Sequence, residues 1–233
     1  PIFFDNSSWT NHTTLFRKSF LPKNFNKKLR NFCIFNNSLE ELDSVRGNAL
    51  KARKKSPNDI IFELLKKFNK EKNFFFYLRL HPNLVSKNIL SKNITTQFQE
   101  IIQKGKKYRN LKIIWPEEKV DSYELLKNCE KVITFGSTIG FEASYMGKPV
   151  VCINNKKSQG TNYAYFPKSF NETVNLIKKK LKPKPKFGSL YYFYLRFNRG
   201  NKMKYCKQIK DKWYFKNQLI EPGYSSIFNY YLK

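Results

Sequence analysis

Residues 131–151 read KVITFGSTIGFEASYMGKPVV, with three glycines, a Ser-Thr pair and one glutamate set between two apolar runs. If the first run is a strand and a helix opens near Ile139, Gly136 allows a ligand to approach the backbone closely. Ser137 and Thr138 then add hydroxyls beside the free amides and positive dipole end of that helix, a setting that suits a phosphate. Glu142 lies one turn on, where a carboxylate can accept hydrogen bonds from two vicinal ribose hydroxyls. The same residues would equally make a plain strand-to-helix turn with a Ser cap and a solvated helix charge. The pattern is neither G-x-G-x-x-G nor a Walker loop, which speaks against a dinucleotide cofactor and a P-loop ATPase.

Two further strand ends carry residues of the same kind. His81 closes the run NFFFYLRLHP (73–82), whose Pro82 ends the ladder and holds His81 extended. Arg79, two residues earlier, falls on the His81 side by strand alternation. After the run FCIF (32–35) comes NNS, in which Asn37 and Ser38 stand at the start of a helix. In a parallel sheet all these positions share the carboxyl edge, where ligands collect. Each has a plain alternative as a turn or capping residue.

The elements that would position them follow from periodicity and capping. FCIF is a short buried strand, and Ser38 with Glu41 has the spacing of a capping box for the helix after it. In SPNDIIFELLKKF, Ser56 is an N-cap and Pro57 the first helical residue, with Ile60, Ile61, Leu64, Leu65 and Phe68 on one face. A helix around TTQFQEIIQKGKK leads to strand LKIIW (111–115), and Asp121 with Glu124 is spaced as a second capping box. Strand 131–135, a helix from about Ile139 to Gly147 and strand PVVCI (149–153) complete the alternation. Strands apolar on both faces and joined by helices predict a doubly wound, mostly parallel α/β sheet. The domain plan is 1–31 as the end of a preceding unit plus a linker, 32–187 as the Rossmann-like domain, and 188–233 as an aromatic and basic helix and tail strapped on it.

Composition narrows the class. At 233 residues and 40% apolar content the chain can bury a core, and the net charge is +28. Eight of the 45 basic residues are Arg, the residue that suits bidentate phosphate and base recognition, so nucleic acid is not the expected partner. The lysine excess is either compositional or an attraction to anionic partners such as lipid headgroups or an acidic glycan. Cys33, Cys129, Cys152 and Cys206 lack zinc spacing and read as reduced thiols. The chain opens without Met, shows no signal-peptide pattern and has no apolar run of spanning length, so it reads as a cytoplasmic fragment of a longer protein.

Taken together, FCIFNNSLEEL, FYLRLHPN, PEEKVDSYELLKNCEKVITFGSTIGFEASYMGKPVV and PKPKFGSLYYFY resemble the carboxyl-terminal half of bacterial surface-polysaccharide glycosyltransferases of GT-B architecture. The capsule polysaccharide biosynthesis proteins, some of which are Kdo transferases, are the group it is most similar to. The resemblance implies a domain that binds a nucleotide-activated sugar for transfer to a capsule or lipopolysaccharide glycan or lipid-linked acceptor. His81, Ser137 and Thr138 would hold the nucleotide phosphate and Glu142 the ribose. It implies no cofactor and no metal, since amides, hydroxyls and basic side chains offset the leaving phosphate, and no D-x-D motif occurs. The catalytic base would come from an acceptor-binding domain, so this half alone would be inactive. A GT-B-like sugar-nucleotide epimerase is the second expectation. The lysines would favour peripheral contact with an anionic inner membrane.

Overall fold

The computed structural model describes residues 20–37, 55–81, 92–116, 118–153, 159–198, 206–209, 212–215 and 218–220. Its contacts divide the chain into two compact units, one spanning 12–192 and the other including 193–233.

In the larger unit five strands form one parallel sheet: β1 (Arg30–Phe35), β2 (Phe74–Arg79), β3 (Leu111–Ile114), β4 (Lys131–Thr134) and β5 (Val150–Cys152). Their order is β3-β2-β1-β4-β5, so the sequence expectation of a doubly wound parallel sheet holds. The helices between them are α1 (Pro57–Phe68), α2 (Lys92–Gly105), α3 (Ser122–Asn128) and α4 (Thr138–Tyr145); α5 (Phe170–Lys178) and the start of α6 (Phe187–Asn198) follow.

Strand alternation builds two apolar layers. Phe32, Ile34, Phe76, Leu78, Ile133 and Val151 form one core with Ile61, Leu64, Leu65 and Phe68 of α1, Ile101 of α2 and Ile177 of α5. Cys33, Tyr77, Val132, Thr134, Val150 and Cys152 alternate with these strand residues and are also buried. The chain before β1 packs here as well: Phe25 stacks on Tyr77 at 4.9 Å, and Asn31 donates its side-chain amide to the Asn26 carbonyl at 2.8 Å. The sheet unit thus begins upstream of residue 32, and β1 starts two residues before the FCIF run.

Local signals explain the helix starts. Ser56 and Asp59 exchange side-chain and backbone hydrogen bonds at the head of α1, with Pro57 at its first turn. Asp121 caps α3 by accepting from the Tyr123 and Glu124 amides at 2.7 and 3.2 Å. The reciprocal half of that expected box does not form, because the Glu124 carboxylate turns toward the Asn128 side-chain amide at 2.9 Å and Lys127 at 3.6 Å, one turn onward. The Ser38 and Glu41 box lies outside the described residues.

The smaller unit contains a three-stranded antiparallel meander, β6 (Cys206–Ile209), β7 (Lys212–Phe215) and β8 (Gln218–Ile220). β6 and β7 pair from Cys206 with Phe215 to Ile209 with Lys212, and β7 pairs in turn with β8. The sequence reading expected a helix and tail in this region and did not foresee strands, because each is three or four residues long and interrupted by lysine or glutamine.

Candidate functional site

In strand order β3-β2-β1-β4-β5 the chain runs outward from β1 to β3, then returns to the other side of β1 for β4. The connections therefore part at β1 and β4, which is where an open α/β sheet offers a crevice at its carboxyl edge.

The β4 wall of that crevice is the glycine-rich turn. Gly136 has φ +99°, a conformation that side chains disfavour. It turns the chain so that Ser137 becomes the N-cap of α4 and Thr138 its first residue. The Ser137 hydroxyl makes no capping bond to the helix. Ser137 is thus an N-cap by backbone position only, without the side-chain bond that a Ser cap usually makes.

The β1 wall is Asn36-Asn37, both buried. Asn36 ties two strand ends together, its Oδ1 accepting the His81 backbone N–H at 3.0 Å. The registers pair Phe35 with Arg79 on β2 and with Thr134 on β4. His81, Asn37 and Gly136 each stand two residues past the last paired residue of their strand, on the carboxyl side. The parallel sheet thus sends these three positions to its carboxyl edge. Ser38 lies outside the described residues.

Arg79 is held elsewhere. Its guanidinium donates to the Trp115 carbonyl and, at 3.5 Å, to the Pro116 carbonyl, which fastens it to the chain leaving β3. It straps the β2 and β3 ends together on the far side of β2 from the β1–β4 crevice.

Glu142 is half-buried rather than fully solvated. Tyr123, at the head of α3, donates its hydroxyl to Glu142 Oε2 at 3.0 Å. Burial first, and the Glu142 charge second, push the Tyr123 phenol above its ordinary range, so it stays a proton donor. The same tyrosine's amide is fixed by Asp121. Sequence reasoning did not assign Tyr123, although it stands in the DSYELL part (121–126) of the longest segment quoted for the resemblance. An aromatic stack holds α4 from behind: Phe141 lies 3.7 Å from both Tyr163 and Tyr192.

The opposite edge of the sheet carries a structural ion cluster. Arg30 grips Glu130 through two 2.8 Å hydrogen bonds, and the fully buried Lys131 bonds Glu130 and, at 3.0 Å, the Ile177 carbonyl. Burial alone would raise the Glu130 pKa, but the bonds from Arg30 and Lys131 outweigh it and hold the carboxyl at about 2. Cys33, Cys129 and Cys152 are free thiols buried in the sheet unit. Among the described residues no helix is long and apolar enough to cross a membrane, and no cluster of His, Cys, Asp and Glu has the makings of a metal site.

A family model described as "Capsule polysaccharide biosynthesis protein" matches residues 21–156, more than half of the 233. The chain belongs to the capsule polysaccharide biosynthesis protein family. The match to this capsule family starts at the segment that packs on Tyr77 and ends just beyond β5, so it takes in every strand of the parallel sheet. No curated protein matches the chain.

Among solved structures, the chain of this capsule family member is similar to a UDP-GlcNAc 2-epimerase from Methanocaldococcus jannaschii, at 16% identity and TM-score 0.48 over 81% of this chain and 50% of that one. It is also similar to KpsC of Thermosulfurimonas dismutans, a beta Kdo 2,4 transferase, at 16% identity and TM-score 0.45 over 74% and 46%. A third is the UDP-GlcNAc 2-epimerase of Neisseria meningitidis bound to UDP-GlcNAc, at 14% identity and TM-score 0.43 over 74% and 45%. The chain spans about half the length of these structures.

Proposed function

We propose that the sheet unit is the donor-binding half of a glycosyltransferase that passes a sugar from a nucleotide-activated donor to a capsule or related cell-surface glycan. What supports this reading is that neighbouring parallel strands deliver His81, Asn37 and Gly136 to one carboxyl edge, with the Ser137 hydroxyl uncommitted to the helix cap. Amides of the α4 head, the Ser137 and Thr138 hydroxyls and the His81 imidazole hold the nucleotide phosphate. Glu142, steadied by Tyr123, accepts from the ribose hydroxyls. Charge on the leaving phosphate is offset by these donors, without a metal ion. Membership of the capsule family supports transfer to a glycan over the epimerase alternative, whose reaction has no acceptor.

The protein works, in this reading, in the cytoplasm with a nucleotide sugar, a glycan or lipid-linked acceptor, and peripheral contact with an anionic inner membrane as its partners; nucleic acid is not one of them. Thermal shift of the chain with CMP, UDP, GDP and ADP, each with and without EDTA, tests the donor site. A shift with at least one nucleotide that persists in EDTA is the expected result. A shift that vanishes in EDTA overturns the metal-free site, and equal, weak shifts with inorganic phosphate alone overturn the nucleotide reading.

A further inference from the structure

Helix α6 turns apolar side chains outward. Phe187, Leu190 and Tyr191 sit at i, i+3 and i+4, on one helical face, and are 75%, 46% and 44% exposed. The rings of Phe187 and Tyr191 run parallel at 6.3 Å, which makes one continuous patch. The other face is anchored in the sheet unit. Ser189 is buried, and Tyr192 stacks on Phe141 at 3.7 Å. Gly188 lies so close to the chain that a Cβ there would stand 1.8 Å from the Thr161 carbonyl oxygen. The helix cannot roll its stripe inward without giving up these contacts. An anchored helix that presents Phe, Leu and Tyr to water calls for a covering surface.

Charge identifies that surface. The segment KKKLKPKPK (178–186) runs directly into α6, and no Asp or Glu occurs between Glu172 and Asp211. Three of its lysines are committed to the fold: Lys178 pairs with Glu71 at 3.5 Å, Lys184 lies 4.4 Å over the Tyr165 ring and Lys186 5.1 Å over the Tyr145 ring. Lys179, Lys180 and Lys182 are exposed. An aromatic stripe that follows three exposed lysines in the chain matches a boundary that is apolar beneath a layer of negative charge, which is the headgroup region of an anionic bilayer. A nucleic acid would answer the lysines but would leave Leu190 in water.

We propose that α6 seats Phe187, Leu190 and Tyr191 in the headgroup boundary of an anionic membrane, with Lys179, Lys180 and Lys182 lying over its phosphates. The proposal rests on the membrane contact stated above, names the element that makes it, and is independent of the nucleotide site.

Cosedimentation with vesicles of phosphatidylcholine, with and without phosphatidylglycerol, tests it on the natural chain, on Phe187→Ser/Tyr191→Ser and on Lys179→Gln/Lys180→Gln/Lys182→Gln. The natural chain is expected to pellet with the anionic vesicles only, and each variant to bind them about tenfold less well, with unchanged circular dichroism. In a Phe187→Trp variant, brominated acyl chains should quench emission more than in the natural chain. Undiminished binding by Phe187→Ser/Tyr191→Ser overturns the inference while leaving a purely electrostatic membrane contact standing. Failure of the natural chain to bind either vesicle overturns both. A dimer in sedimentation velocity that Phe187→Ser/Tyr191→Ser dissociates assigns the stripe to a second copy and also overturns it.

Discussion

The Tyr123 hydroxyl on α3 donates to the Glu142 carboxylate on α4 at 3.0 Å, so two helices that open at the same edge of the sheet share one hydrogen bond. In the proposed donor site Tyr123 acts on the ribose through that carboxylate. Removing the hydroxyl with Tyr123→Phe leaves the ring in place and takes one hydrogen bond from Glu142. Affinity for ribonucleotides should fall by about 1.5–3 kcal/mol, the range for a hydrogen bond to a charged group, while affinity for the 2′-deoxy forms changes little. Calorimetric titration of matched pairs checks this. An equal loss for both sugars would show that the tyrosine merely supports the fold.

Asn36 and His81 separate a structural bond from a binding one. The bond between them is donated by the His81 backbone, so His81→Ala keeps it. That variant should melt close to the natural chain and lose about 1–3 kcal/mol of nucleotide affinity. Asn36→Ala leaves the His81 amide without its acceptor and should cost about 1–3 kcal/mol of stability in urea unfolding. A destabilised His81→Ala with unchanged nucleotide affinity would make His81 a turn residue only.

Acid should test the ion cluster at the far edge. Glu130 is held at about 2 in the folded chain, against about 4.3 for a free glutamate. A carboxyl with a depressed folded pKa contributes stability that is present above its unfolded value and is lost as pH falls toward the folded one. The stability gap between the natural chain and Glu130→Gln should therefore be full above about pH 5, on the order of 2 kcal/mol, and close toward pH 2. Melts at stepped pH measure it, and a gap that stays constant over that range would refute the assignment.

Gly188→Ala should loosen the seat of α6. The added methyl would meet the Thr161 carbonyl oxygen at 1.8 Å, so either the helix or the 159–161 turn must move. Overpacking of this kind costs about 1–3 kcal/mol, which differential scanning calorimetry will register. Exposed Leu190→Ala, on the same helix, should change stability much less.

The sequence by itself determined that this is a parallel α/β domain. Runs such as FFFYL and KVIT are apolar on both faces, and Ser56-Pro57 and Asp121 mark helix starts, all of which are local signals readable within a few residues. It also placed Gly136 and Ser137 in a strand-to-helix turn, because that turn depends only on neighbouring residues. Which strands lie side by side was decided by tertiary structure, since helices packing on the sheet choose the strand order and periodicity carries no such information. That choice put β4 against β1, so that the strand ends leading to Gly136, Asn37 and His81 are neighbours. Alternation assigned Arg79 to the His81 side of its strand, but its long side chain took the carbonyls leaving β3, a neighbour that only the folded sheet supplies. Tyr123 and Glu142 are nineteen residues apart on separate helices, and their bond exists because both helices start from one sheet edge. The antiparallel meander at 206–220 escaped notice for the converse reason: strands this short are defined by pairing with one another, and their individual patterns are too weak to read.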